Sequence, residues 1–288
     1  EYMEGRSEPL IVKPDEGAQG DGIFIASDYS DLQQRLRGMG GSVQGNAGVL
    51  VQRYIEKPML LEGLKFDLRV YVLVLSLEPL TVLLCREGLA RFCTAPYQKP
   101  STKNLHHLTS HLTNYSLNKR SDDFVHTEEG GKGGSKRTIS AVFDELEAKG
   151  GFGAEVLWER IENMVAETCA VMQPYLLNGL QEAVASHKPP NMRGYDGGDG
   201  CFHLLGFDVM LDSDTCPWLL EVNCSPRLAI DQVEPLAKGQ MPENPRDVCR
   251  CMEDHRPHVH VRCHVDEAVK TAAIGGAMAI VIGSRRGK

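Results

Sequence analysis

Leu205-Gly206-Phe207-Asp208-Val209-Met210 and Leu220-Glu221-Val222-Asn223-Cys224-Ser225-Pro226 are two apolar segments, each interrupted by side chains whose oxygens suit a hard metal ion. Their apolar character predicts strands, and Pro226 stops the second because proline cannot donate to a ladder. If the two strands are hairpin neighbours, Asp208 on one meets Glu221 and Asn223, two apart on the other, so that two carboxylates and an amide oxygen share one point. Mg²⁺ prefers such ligands and usually completes its shell with phosphates and water. A lone aspartate or a lone Glu-x-Asn is an ordinary strand-edge residue, so the joint spacing carries the reading.

Working back from this pair, Ile11-Val12-Lys13-Pro14 leads into the loop Asp15-Glu16-Gly17-Ala18-Gln19-Gly20-Asp21-Gly22. Lys13 stands at a strand end, where an ammonium can meet phosphate oxygens, and Gln19, Gly20 and Gly22 can cover phosphates with backbone N–H groups. No Gly-Lys-Ser/Thr follows, so this is not a Walker-type loop. Gln52-Arg53-Tyr54-Ile55 reads either as a buried strand or as a hinge whose backbone reads an adenine edge, with Gln52, Tyr54 and Ile55 around the ring. In Leu64-Lys65-Phe66-Asp67-Leu68-Arg69, the side chains of Lys65, Asp67 and Arg69 leave one strand face and need a ligand, water or each other. A lysine, phosphate-sized glycines and a carboxylate–amide set thus occur in the order an ATP site requires.

Composition limits the alternatives. The chain has 288 residues, 42% of them hydrophobic, enough to bury a sizeable core in one large or two smaller domains. No apolar run approaches the roughly 20 residues that span a bilayer, and no signal-like start is present, so we expect no membrane partner. Nine cysteines scattered mostly among apolar residues suit buried reduced thiols and a cytosolic compartment. A net charge of −8 argues against nucleic acid as a partner. An acidic partner must therefore meet a local basic patch, at 99–103, 119–120, 132–137 or 285–288, all of which also read as solvated loops. The chain starts at Glu1 and enters a strand-like segment almost at once, from which we expect an upstream segment to be missing.

The remaining pattern predicts a hairpin of 10–12 with 22–26, a helix over 30–36, strands over 49–55, 64–74, 80–85 and 88–93, and a polar stretch over 106–136. One or two helices follow over 140–177, then a Pro/Gly-rich loop over 188–200, an irregular segment over 231–264 and a helix over 265–282.

Taken together, Ile11-Val12-Lys13-Pro14-Asp15, Val51-Gln52-Arg53-Tyr54-Ile55, Lys65-Phe66-Asp67-Leu68-Arg69, Gly88-Leu89-Ala90-Arg91-Phe92, His111-Leu112-Thr113-Asn114-Tyr115-Ser116, Gly206-Phe207-Asp208 and Leu220 to Pro226 resemble the tubulin-tyrosine-ligase-like family of ATP-grasp ligases. The resemblance implies an α+β ATP-grasp fold. Nucleotide would lie between a small central β-rich subdomain (1–57, partial) and a larger C-terminal α/β subdomain (58–282) with an irregular insertion at 231–264 and a basic tail at 283–288. The family's N-terminal domain would be missing. By position, Lys13 and Lys65 would contact ATP phosphates, Gln52, Tyr54 and Ile55 the adenine, and Asp67 the sugar side. Arg69 and Arg91 would face the γ-phosphate and an acceptor carboxylate, Thr113 and Asn114 would position the acyl-phosphate, and Asp208, Glu221 and Asn223 would hold Mg²⁺.

The implied reaction has no protein nucleophile: an acceptor carboxylate is phosphorylated and the amine of an amino acid then attacks it. Phe92-Cys93-Thr94, Pro96-Tyr97 and the 265–270 helix start look most like the tubulin polyglutamylases, which join free L-glutamate to glutamate side chains of tubulin C-terminal tails. Lys119 and Arg137 would then meet acidic substrate groups, in a monomeric enzyme of the cytoplasm and cytoskeleton, cilium or basal body included. A tubulin glycylase, a ligase on a non-tubulin acidic tail and a non-catalytic microtubule- or cilium-associated module remain the alternatives. Finally, Cys249, Cys251, His255, His258, His260, Cys263 and His264 are zinc-ligating types without a recognised finger spacing, and read as part of the irregular insertion.

Overall fold

In a computed structural model of the chain, the described residues are 8–14, 20–38, 48–127, 133–187, 201–236, 248–249 and 258–286. They form an α+β architecture of antiparallel sheets. The opening segments β1 (Leu10–Pro14), β2 (Phe24–Ala26) and β3 (Val49–Arg53) make a three-stranded sheet in the order β2-β1-β3, with α1 (Tyr29–Gly38) packed near it. The predicted hairpin is present, with Leu10 opposite Ala26 and Val12 opposite Phe24.

Larger by far is the sheet β7-β6-β5-β8-β9, built from β5 (Leu64–Leu77), β6 (Leu80–Phe92), β7 (Lys136–Thr138), β8 (His203–Leu211) and β9 (Pro217–Asn223), with β4 (Leu60–Leu61) paired to β5. Along its central strand β5, side chains alternate between two different environments. Phe66, Leu68, Val70 and Val72 join a core with α3 (Ile139–Ala148) and α4 (Ala154–His187), through Val142, Phe143, Leu157, Trp158 and Ile161. On the other face, Tyr71 and Leu73 pack beneath α5 (His264–Arg286), against Val265, Val269, Ala277 and Val281. Lys65, Asp67 and Arg69 continue that second face toward the start of β5. Gly88 on β6 permits the close β5–β6 approach, since a Cβ there would lie 2.3 Å from the Arg69 carbonyl oxygen and 2.6 Å from Ile139 Cδ1.

Two expectations are corrected. The polar stretch over 106–136 contains a 3₁₀ turn (Leu108–Ser110) and the short helix α2 (Tyr115–Asn118), and Lys136 opens a strand rather than ending a loop. The segment 231–264 is not irregular throughout, because β10 (Asp231–Pro235) pairs antiparallel with β11 (His258–Arg262). Cys251 and His255 lie outside the described residues, as do Gln19 and the side chains of the basic tail from 284 on. Among the described residues no helix is long and apolar enough to cross a membrane.

Candidate active site

The three-stranded sheet and the charged end of β5 line a cleft of about 890 Å³, a volume suited to a nucleotide-sized ligand. Its floor is a cross-strand ladder of charge dictated by register. Asp67 on β5 lies opposite Arg91 on β6, and Arg69 on β5 lies opposite Asp208 on β8, so each pair projects from one face at adjacent positions. The Arg91 guanidinium donates to both Asp67 oxygens at 2.8 and 2.7 Å and also reaches Asp208 Oδ2 at 2.8 Å. Arg69 grips Asp208 in a fork, with Nη2 donating to Oδ2 at 2.9 Å and Nε donating to Oδ1. Thr113 Oγ1 donates to Asp67 Oδ2 at 2.7 Å. Such bidentate, charge-assisted bonds fix guanidinium planes as no lysine pairing can.

Burial and charge compete in this ladder, and charge prevails at two sites. Burial by itself would raise the Asp208 carboxyl, but Arg91 and Arg69 outweigh it and hold the group at about 2. Burial likewise disfavours the Arg91 cation, yet Asp67 and Asp208 push its pKa above the ordinary arginine value. At Lys65 burial wins. That side chain is 4% exposed, donates to Tyr54 Oη at 2.9 Å and lies 4.2 Å from the Tyr54 ring centre, and burial lowers its pKa to about 8. Among the described residues no carboxylate lies within ion-pair distance of Lys65. A buried cation held only by a phenol and a ring face is costly to keep charged. Tyr54 Oη also meets His111 Nδ1 at 3.1 Å, and burial raises the phenol's pKa and lowers that of the imidazole.

Facing the ladder, β9 pairs with β8 as the opening strands required: Asp208 lies opposite Glu221 and Gly206 opposite Asn223. Asn223 Nδ2 donates to Glu221 Oε1 at 2.9 Å. Each carboxylate oxygen offers two lone pairs, so Asp208 and Glu221 retain acceptor capacity for a cation beside the bonds they make. Gly206 makes room for the ladder, because a Cβ there would meet Pro226 Cβ at 2.9 Å and Arg69 Cδ at 3.1 Å.

The loop bearing Thr113 and Asn114 is shaped by Asn118, a buried residue that the sequence reading passed over. Its Nδ2 donates to the carbonyls of Leu112 at 2.7 Å and Asn114 at 3.0 Å, and its Oδ1 accepts from the Thr94 N–H at 2.9 Å. Gly20, at φ +86°, comes down on this loop: a Cβ there would stand 3.0 Å from Asn114 Cγ. Gly22, at φ +73°, completes the same turn against Pro14.

The cleft brings together Lys13, Gly20, Gln52, Tyr54, Ile55, Lys65, Asp67, Arg69, Arg91, Thr113, Asn114, Lys119, Asp208, Glu221 and Asn223. Gly22 supports the turn without lining it. Gln19 lies outside the described residues. Arg137 is the exception: it pairs with Glu62 and with Glu145 at 2.5 and 3.1 Å, and stacks 4.4 Å over Phe92 on the α3–α4 side. The reason is parity, since Arg137 lies opposite Ala90 and Lys136 opposite Arg91. Lys136 therefore takes the ladder's face, where it pairs with Asp266 of α5, which in turn holds Lys270 at 2.7 Å. His111, also in the cleft wall, was legible only as a neighbour of Thr113 and Asn114.

The α+β fold thus carries one cleft in which a buried lysine and two clamped arginines stand beside a two-carboxylate strand pair. The chain belongs to the tubulin-tyrosine ligase family, whose model matches residues 1–241. It is 42% identical over 230 residues to "Tubulin polyglutamylase TTLL11" of Homo sapiens, covering 80% of this chain and 30% of that protein. It is 36% identical over 278 residues to "Tubulin polyglutamylase ttll-11" of Caenorhabditis elegans, covering 95% and 34%. To "Tubulin polyglutamylase ttll6" of Danio rerio it is 38% identical over 222 residues, covering 77% and 26%. The chain thus spans about a third or less of the length of these relatives.

Proposed function

We propose that this chain carries the catalytic cleft of an ATP- and Mg²⁺-dependent ligase of ATP-grasp type that adds glutamate to glutamate side chains of tubulin tails. The observation that carries the reading is the convergence of Lys65, Arg69, Arg91, Asp208 and Glu221 on one cleft in a member of this family. Nucleotide would lie between the three-stranded sheet and the larger sheet, with the division near residue 57. The residues fit the groups they would receive. Lys65 is a buried cation short of an anion, and Asp208, Glu221 and Asn223 offer the oxygen set that Mg²⁺ takes.

In this reading Lys13 and Lys65 hold phosphates, Gly20 closes over them, and Gln52, Tyr54 and Ile55 receive the adenine. Gln19 would act with Gly20. Asp67, which family position sets on the sugar side, has both oxygens bonded to Arg91 and one shared with Thr113, so it also aims those two groups. Arg69 and Arg91 present N–H groups to the transferring phosphoryl and the acceptor carboxylate, and Thr113 and Asn114 orient the activated acyl group. When bound, ATP supplies the phosphoryl group that activates the acceptor and Mg²⁺ offsets its charge. The protein contributes position and fixed charge rather than a nucleophile. Lys119 at the cleft is the cation offered to an acidic substrate. Arg137, engaged elsewhere, would serve the fold. The associated setting is the cytoskeleton, with glutamate as the free amino acid.

The test is incorporation of radiolabelled glutamate, and separately glycine, into stabilised microtubules with ATP and Mg²⁺ by the protein and its Glu221→Gln variant. Glutamate incorporation by the former and loss in the latter is expected. Glycine incorporation alone would replace the proposed amino acid, and near-normal turnover in the variant would remove Glu221 from the metal set.

A further inference from the structure

Outside the cleft, three ligating side chains of the β10–β11 region meet. His258 and His260 are two apart on β11 and leave one face of it. Cys249 forms an antiparallel bridge with His258, its N–H donating to the His258 carbonyl at 2.7 Å. Residues opposed in this way project from the same face with Cβ atoms about 5 Å apart. Backbone pairing therefore delivers a thiol and two imidazoles to one spot, and their ligating atoms all lie within 4.8 Å of one another. Around a tetrahedral zinc, with Zn–S about 2.3 Å and Zn–N about 2.0 Å, ligand atoms stand about 3.3–3.6 Å apart. Side-chain adjustments of about an ångström close the difference.

Three further features suit a metal. His258 is fully buried and Cys249 half-buried, so two of the ligands sit on a shielded side of the cluster. The two imidazole ring centres stand 5.2 Å apart. Asp231, on β10, is hydrogen-bonded to His260 Nδ1; a carboxylate behind a histidine fixes its tautomer and raises its basicity. One soft thiolate with two imidazoles selects zinc over the hard cations preferred by the cleft's oxygens.

We propose that Cys249, His258 and His260 bind a Zn²⁺ ion, with Asp231 orienting His260. The ion ties the residue-249 segment to β11, from which the chain passes through Cys263 into α5. No member of the cluster lines the cleft, so the assigned role is a clip on the segment that seats α5, with the fourth tetrahedral position available to a further ligand. Finger-type spacing is not needed, because strand pairing rather than a short loop gathers the ligands.

The test is metal analysis of the untagged full chain after dialysis against metal-free buffer, followed by titration with zinc or cobalt(II) alone. Stoichiometric zinc is expected, together with a cobalt spectrum showing tetrahedral intensity and a thiolate charge-transfer band. Cys249→Ser should abolish that band, His260→Ala should lose the metal, and Asp231→Asn should weaken zinc affinity about 10- to 100-fold in competition with a chromophoric chelator. Protein that takes up neither metal, or retains its zinc and its thiolate band in both ligand variants, overturns the assignment. Should a variant fail to fold, the cobalt spectrum of the unsubstituted protein decides, since absence of a thiolate band excludes Cys249.

Discussion

Lys65 should make nucleotide affinity fall with pH in a range where surface lysines remain charged. Its ammonium is enclosed by Tyr54 and shifted by burial from an ordinary 10.5 to about 8. At about 1.4 kcal/mol per pH unit, keeping that charge in the empty cleft costs about 3 kcal/mol, and a bound phosphate offsets much of it. The unliganded protein loses this proton as pH rises through about 8, while the anion-bound protein keeps it, so binding above that pH takes up a proton and the association constant falls by up to about tenfold per unit. From pH 7 to 9 affinity should drop about tenfold, with uptake of about half a proton near pH 8. Calorimetric titration of Mg·ADP in two buffers of different ionisation heat measures both quantities. The Lys65→Met variant should bind more weakly and without this slope. A flat wild-type profile with no proton uptake, or the same slope in the variant, refutes the assignment of the proton to Lys65.

Other consequences of the ladder are measurable by unfolding. Asp67→Asn removes one carboxylate from Arg91 but leaves Asp208 in place, so the loss should be about 2–3 kcal/mol, short of the full penalty for an abandoned buried charge; urea denaturation showing no loss would mean that Arg91 is solvated without Asp67. Gly88→Ala drives a methyl into the Arg69 carbonyl, which cannot rotate away, and should cost about 1–3 kcal/mol or more, whereas an unchanged melting temperature would show that β5 and β6 part freely. Asp208 is held at about 2, below the roughly 3.9 of an unfolded aspartate. Its contribution is therefore present above about pH 4 and lost as pH falls through about 2. The stability gap between the protein and Asp208→Asn should narrow by about 2 kcal/mol between pH 5 and pH 2, and a constant gap would contradict the coupling to Arg69 and Arg91.

Most of the cleft was legible because its parts lie on strands whose alternation is visible in one dimension. Asp208, Glu221 and Asn223 needed only that β8 and β9 be hairpin neighbours, and their register bears that out. Lys65, Asp67 and Arg69 were seen to share a face, though not that two of the three would be clamped by Arg91 and Asp208 from separate strands. What escaped was parity and distance. β7 is three residues long, too short to show a period, and without its register Arg137 and Lys136 are indistinguishable basic residues. The β10–β11 pair joins segments more than twenty positions apart, so neither strand carries a local turn signal for the other. Asn118 acts through carbonyls of its own loop, a role no composition reveals.

The alternation of β5 has a consequence for how the protein reaches its fold. Its odd-numbered positions run from Lys65, Asp67 and Arg69 to Tyr71 and Leu73, and its even-numbered ones are apolar from Phe66 to Val74. Sliding this strand by one residue would thrust two cations and a carboxylate among the apolar side chains of Phe143, Leu157 and Ile161. The charges of the cleft thus also act as a proofreading mark, rejecting any one-residue slip of the central strand.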